Sequence, residues 1–282
     1  PMWLSPYLEF EPSIGFEINS RYFEHRNEGP HQQSQYCPVF KTRLATVIER
    51  IFDHPIRGVD TLKHKIAPSI EYEFRAFHQD QYKPWFEKID QEDKKNSITF
   101  RLSNLFDRKK VLPRGEVRYS RWAIFDLIQE YSIREARRDS EPWRKKKPFF
   151  PLDLIASLYP SDAIDLEFKA SWDHYTEEIS SADVSFQLTM DRSGGRKDHY
   201  KLDYQYRSGE MENIKYLIDL YIGKGFSVGT SISKELNEYE TLESNYWLDY
   251  ESQCWALRLN AGSLDGIESI MITVKLKGLG EL

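Results

Sequence analysis

Apolar and polar residues alternate one by one over most of this chain. Between 62 and 76, Leu62, His64, Ile66, Pro68, Ile70, Tyr72, Phe74 and Ala76 occupy every second position. Lys63, Lys65, Ala67, Ser69, Glu71, Glu73 and Arg75 fill the gaps. The same rhythm sets Ile164, Leu166, Phe168, Ala170 and Trp172 against Asp165, Glu167, Lys169, Ser171 and Asp173. Successive side chains of a strand point to opposite faces, so this period predicts strands with one apolar and one polar face. It recurs at 8–18, 98–102, 182–190, 200–206, 214–222, 226–232, 242–250, 255–259 and 270–276. It blurs at 41–52 and changes phase within 116–135, which predicts a bulge. The pattern predicts roughly fourteen strands and no amphipathic helix.

A soluble β-sandwich also alternates, with its apolar face inward. Sandwich strands are usually short, about 5–6 residues. At ~3.3 Å per residue and a tilt of ~40°, eleven residues rise about 28 Å, close to the apolar band of a membrane barrel. The polar faces carry dense charge of both signs, which suits a water-filled lumen. The expected fold is therefore all-β, an antiparallel transmembrane β-barrel.

Connections add direction to that expectation. One alternate set comprises 25–40, 77–95, 136–148, 175–180, 207–213, 235–240 and 260–267, and it holds the longest segments. The other set, 53–61, 106–115, 159–162, 191–198, 222–225 and 250–253, is mostly tight, with turn formers such as Pro160-Ser161-Asp162 and Gly223-Lys224-Gly225. Bacterial barrels place long loops outside and short turns in the periplasm, so the second set and the C-terminus are expected there.

Composition sharpens the picture. Charged residues make up 30% and aromatics 14%, with 17 Tyr, 16 Phe and 7 Trp. Disordered chains lack such an aromatic content. A net charge of −6 and a pI near 5.8 argue against nucleic acid as a partner. No apolar run approaches the length of a membrane helix. The opening PMWLSPYLEF lacks the pattern of an export signal, so a segment of a longer exported polypeptide is expected.

Catalytic and cofactor chemistry is not suggested by any motif. The seven His are scattered without metal-ligand spacing, and His64 and His174 fall on apolar faces. Arg192-Ser193-Gly194-Gly195-Arg196 reads as a turn, because it lacks the strand and helix flanks of a phosphate loop. The run Arg144-Lys145-Lys146-Lys147, beside Trp143, is either a solvated loop or a contact for phosphate-bearing head groups. Only two cysteines occur. Cys37 falls in an expected outer loop, and Cys254 stands at the mouth of a strand beyond an expected periplasmic turn. Two thiols on opposite sides of a membrane cannot reach the roughly 7 Å Cα separation of a disulfide. Cys254 is then a small apolar filler or a thiol whose partner lies elsewhere.

Two stretches carry a resemblance. YESQCWALRL (250–259), followed by ESIMITVKLKGLG (268–280), resembles the C-terminus of the LPS-assembly outer-membrane protein family, LptD, also called organic solvent tolerance protein. Upstream, LKHKIAPSIEYEF and DQYKPWFEKIDQEDKKNSITFRLSNLF resemble a strand, outer loop and strand of the same family. The resemblance spans 62–282 and extends, on its order of elements, to the whole chain. It implies the C-terminal portion of a barrel of about 26 strands, at the large end of the bacterial range. The periplasmic domain and the first barrel half would lie outside residues 1–282. It also implies an LptE-type lipoprotein plug in the lumen, periplasmic lipopolysaccharide bridge proteins, and delivery of lipopolysaccharide through a lateral gate. The last strand would carry that gate, with Ile270, Ile272, Thr273, Val274 and Leu276. Cys254 would bond to a cysteine of the periplasmic domain. Gln253 departs from the pattern, since many members have the first of two adjacent cysteines there.

Overall fold

A computed structural model describes residues 2–22, 32–56, 59–76, 95–112, 115–139, 145–192, 195–237, 240–264 and 266–276. The strands are β1 Met2–Ser5, β2 Leu8–Tyr22, β3 Gln32–Ala45, β4 Ile48–Ile56, β5 Val59–Arg75, β6 Lys95–Val111, β7 Val117–Ser132 and β8 Phe149–Ser161. They continue as β9 Ile164–Asp173, β10 Glu178–Asp191, β11 Lys197–Arg207, β12 Met211–Gly223, β13 Phe226–Glu235, β14 Thr241–Glu251, β15 Trp255–Leu264 and β16 Ile267–Leu276. They form one antiparallel 16-stranded sheet in which sequence neighbours are sheet neighbours, apart from β4, which pairs β5. Among the described residues β1 and β16 are not paired with each other, so the sheet is open at both edges.

The strand count resolves simply. Against β5, Ala45 of β3 faces Ser69 and Ile48 of β4 faces Ile66. Both pairs sum to the same number, so β3 and β4 are one line in one register. The break falls opposite Pro68, which has no N–H for the ladder; Thr46 N still donates to its carbonyl at 3.2 Å. Counting that line once and leaving out the four-residue β1 takes the sixteen strands to fourteen long ones. The blurred pattern at 41–52 is thus a strand interrupted by its neighbour's proline, with Arg50 on the apolar side and Ile51 on the polar side.

The phase change within 116–135 has two causes. Phe106 faces Ala123 while Asp107 faces Arg121, which leaves Trp122 as an extra residue in β7. The pairing with β8 also shifts between Gln129 and Tyr131. Such bulges move every later side chain to the other face. Just beyond β7, Ser132 caps a five-residue helix, α1 (Ile133–Arg137), accepting from Glu135 N. No helix among the described residues is long and apolar enough to cross a membrane.

Several expected connections are shorter than anticipated; 53–61, for example, narrows to the two residues between Ile56 and Val59. Cys37 lies in β3 rather than in a loop, with Glu17 of β2 opposite. Residues 106–111 complete β6, and β15 runs to Leu264, so 260–267 shrinks to a tight turn. Polar side chains close to the ends hid these strand extensions. The alternation of ends still holds. The connections from Tyr22 to Gln32, Arg75 to Lys95 and Ser132 to Phe149 are the longest, and all three lie at one end. At the opposite end the longest are 112–116 and 192–196.

Candidate functional site

The two faces of the sheet differ in chemistry across most of its width, β4 being the exception. On the apolar face Phe168 faces Val184 and Ala156, and Leu166 faces Phe186 and Leu158. Among the described residues nothing covers this face. Ile70 is 44% exposed, Phe100 46% and Leu248 43%, although each sits in mid-strand. A soluble sheet would bury these positions against a second layer.

The opposite face is knitted by charge. Arg207 reaches both carboxylate oxygens of Asp183 at 3.0 Å, and Arg258 reaches both of Asp249 at 2.7 Å. Lys41 and Lys95 converge on the buried Glu73 at 2.9 and 3.0 Å, and Lys215 pairs Glu243 at 3.0 Å. A depression of about 380 Å³ on this face is lined by Glu167, Lys169, Asp183, Lys201, Asp203 and Lys215 among others. Gly229 belongs here because the Trp247 indole lies across it, where any Cβ would collide. The Arg258 guanidinium carbon sits 5.7 Å from that ring.

Aromatic rings gather at both ends of the apolar face. At the long-connection end Tyr131 and Phe149 lie 4.9 Å apart, Phe149 and His174 5.5 Å, and Trp172 and His174 5.0 Å. His174 Nε2 is 2.6 Å from Gln129 Oε1, which accounts for a histidine on an apolar face. At the short-turn end Tyr250 sits 4.7 Å from Phe226 and 5.2 Å from Trp255, while His64 stacks on Phe106 at 4.2 Å. Between such clusters the ten-residue β9 rises about 25 Å at ~3.3 Å per residue and ~40° tilt.

The predicted site residues fall in three separate places. Lys145, Lys146 and Lys147 are exposed at the long-connection end beside the aromatic cluster; Arg144 lies outside the described residues. Lys146 Nζ donates to Ala136 O of α1 at 3.2 Å, and Lys147 Nζ stands 5.3 Å from the Tyr175 ring centre. Tyr175 in turn accepts from Phe149 N at 2.9 Å. Lys146 and Lys147 are thus held within the described part of the loop, so the run is a built corner as well as a charged one. Cys254 is an exposed free thiol at the other end, in the turn between β14 and β15. The gate candidates form the sheet's last edge. Ile270, Ile272, Val274 and Leu276 face Ala261, Leu259, Leu257 and Trp255, and Thr273 faces Arg258. All ten residues of β16 are exposed.

One feature had no sequence signal beyond turn spacing. Asp198, fully buried, accepts from Tyr221 N at 2.9 Å and from Arg192 Nε at 2.6 Å. Arg196 lies 5.5 Å from the Tyr221 ring and pairs with Glu251. Glu251 N donates to Gly225 O at 2.8 Å, and Gly225 (φ 86) makes its turn where a Cβ would meet that strand. Three successive turns, including the one with Cys254, are therefore tied together.

No family model and no curated protein matches the chain. Among solved structures it is similar to two mutants of a Rh. blastica porin. Each is 9% identical and covers 95% of this chain and 98% of that chain, with TM-scores of 0.33 and 0.32. A third, described as asymmetric conductivity of engineered proteins, is 10% identical over 94% and 98%, with a TM-score of 0.32. Likeness at this level decides nothing about what the chain does.

Proposed function

We propose that this chain forms part of the wall of an outer-membrane β-barrel, and that the whole protein inserts lipopolysaccharide into the outer leaflet. The observation that carries the membrane reading is the uncovered apolar face, bounded at both strand ends by aromatic clusters and backed by a charged face. Lipid covers such a face without a second protein layer, and Trp and Tyr take the head-group level. In that setting the long connections face outward and Cys254 and the C-terminus face the periplasm.

The lipopolysaccharide reading rests on the family resemblance. It is supported by the basic corner at 145–147 beside the aromatics, by the outer edge of β16, which has no strand beside it among the described residues, and by the exposed thiol at the other end. A lipoprotein plug of the LptE type would contact the charged face, and periplasmic bridge proteins would dock on the upstream domain. Open edges in hydrocarbon leave N–H and C=O groups unsatisfied, so residues 1–282 alone should not give a stable monomeric barrel. Depletion of the full-length protein tests the reading. Lipopolysaccharide should disappear from the cell surface while other outer-membrane barrels still assemble.

A second reading, a porin or substrate-specific channel, is favoured by the charge-lined depression on the polar face. It predicts normal surface lipopolysaccharide on depletion, with loss of solute uptake.

A further inference from the structure

We propose that residues 2–7 have a second partner in this chain: the free edge of β4, paired as Met2–Phe52, Leu4–Arg50 and Pro6–Ile48.

The register requires this if β2 is prolonged. Glu9 faces Ala45 and Tyr22 faces Gln32, and the partner numbers keep one sum throughout β2 and β3. Because β4 continues β3 in one register along β5, a straight continuation of β2 below Leu8 runs beside β4. That side of β4 has no strand among the described residues; β4 bonds only β5. Instead the chain turns at Pro6-Tyr7, and β1 folds back along the outside of β2.

The sequence favours the continuation as well. Met2, Leu4, Pro6, Leu8, Phe10, Pro12, Ile14, Phe16 and Ile18 hold every even position without a break. A turn formed at Pro6-Tyr7 would ordinarily interrupt that rhythm. The folded-back β1 is weakly held, with three register pairs and an irregularity between Trp3 and Ser5. Met2, Trp3, Leu4 and Tyr7 are 52%, 66%, 61% and 76% exposed. Met2 faces Phe10 and Trp3 faces Glu9 in the hairpin, so both keep their faces in either arrangement and neither must cross the sheet.

The two arrangements differ in the wall they make. With β1 folded back, a notch runs beside β4 toward the short-turn end. It opens next to an apolar depression of about 450 Å³ bounded by Leu8, Leu44, Pro68, Ile70, Phe100 and Leu102. With 2–7 extended, the wall is continuous there and the backbone groups of β4 are satisfied, as hydrocarbon demands. The pairing rests on register and does not depend on lipopolysaccharide being the cargo.

Cysteine cross-linking in the full-length protein, in its native membrane and with Cys37→Ala and Cys254→Ser, tests it. Directly opposed residues of an antiparallel pair have Cα atoms about 4.5–5.5 Å apart, within disulfide range. Leu4→Cys with Arg50→Cys, and Met2→Cys with Phe52→Cys, should oxidise to disulfide-linked peptides seen by mass spectrometry. Trp3→Cys with Glu9→Cys reports the hairpin and serves as the positive control. Leu4→Cys with Phe52→Cys, slipped by two residues, should give about ten-fold less product. If the control links and neither designed pair does, the proposal fails. If the slipped pair links as well as the designed ones, the register fails.

Discussion

Phe168→Arg and Lys169→Glu change adjacent residues of β9 and should differ sharply in effect. Phe168 occupies the middle of Ile164–Asp173 on the apolar face, between Val184 and Ala156. Val184 and Ala156 stand opposite it on the neighbouring strands, so under the proposed membrane placement an arginine there meets only lipid. A cationic side chain at the bilayer midplane of a barrel costs about 2–4 kcal/mol. At 1.36 kcal/mol per decade, that is roughly a 30- to 900-fold fall in the folded-to-unfolded ratio. Lys169 faces Asp183 on the charged side, and Asp183 is already held by Arg207 at 3.0 Å. Lys169→Glu introduces like charge there in contact with water, a cost of about 1 kcal/mol or less. The assay is the folded fraction of full-length protein on a heat-modifiability gel, with urea midpoints in lipid vesicles. Phe168→Arg should lose most of the folded band, while Lys169→Glu stays near wild type. Equal losses would refute the assignment of faces, and a larger loss from Lys169→Glu would reverse it.

Three further outcomes are expected. A cysteine at Thr273, cross-linked to the barrel's first strand, should stop lipopolysaccharide export, and undiminished export would remove β16 from the gate. On non-reducing gels the full-length Cys254→Ser variant should migrate differently from wild type; identical migration would mean that no tether to an upstream cysteine exists. Asp198→Ala should destabilise the short-turn end by about 1–3 kcal/mol, because Tyr221 N loses its acceptor inside the sheet. An unchanged urea midpoint would show that the three turns are held by other means.

The strands were legible because the environment on each face is uniform. β9 begins and ends where its alternation does, since nothing along it departs from period two. What escaped were places where one residue serves a neighbouring strand. Pro68 breaks the ladder of β3 and β4, yet within its own strand it sits in phase with Ile66 and Ile70. Trp122 is an extra residue in β7 only because Asp107 aligns with Arg121 across the pair. Cys37 read as loop because QSQYCPVF has polar residues on both faces, whereas its strand identity comes from pairing with β2. The site divides in the same way. The basic run could be marked from residue type, whereas the gate role of the last strand and the tether role of Cys254 came only from the family resemblance. The latch around Asp198 joins residues from β11, β12 and the turn at 192–196, and no local pattern announces a carboxylate that bonds a backbone amide on the next strand. The uninterrupted even-position rhythm of 2–18 is the converse case. There the sequence describes one long strand and the structure holds two, and this mismatch makes residues 2–7 the segment with the most to gain from moving. Their backbone can trade three register pairs on the outside of β2 for an edge of β4 that has no strand beside it among the described residues.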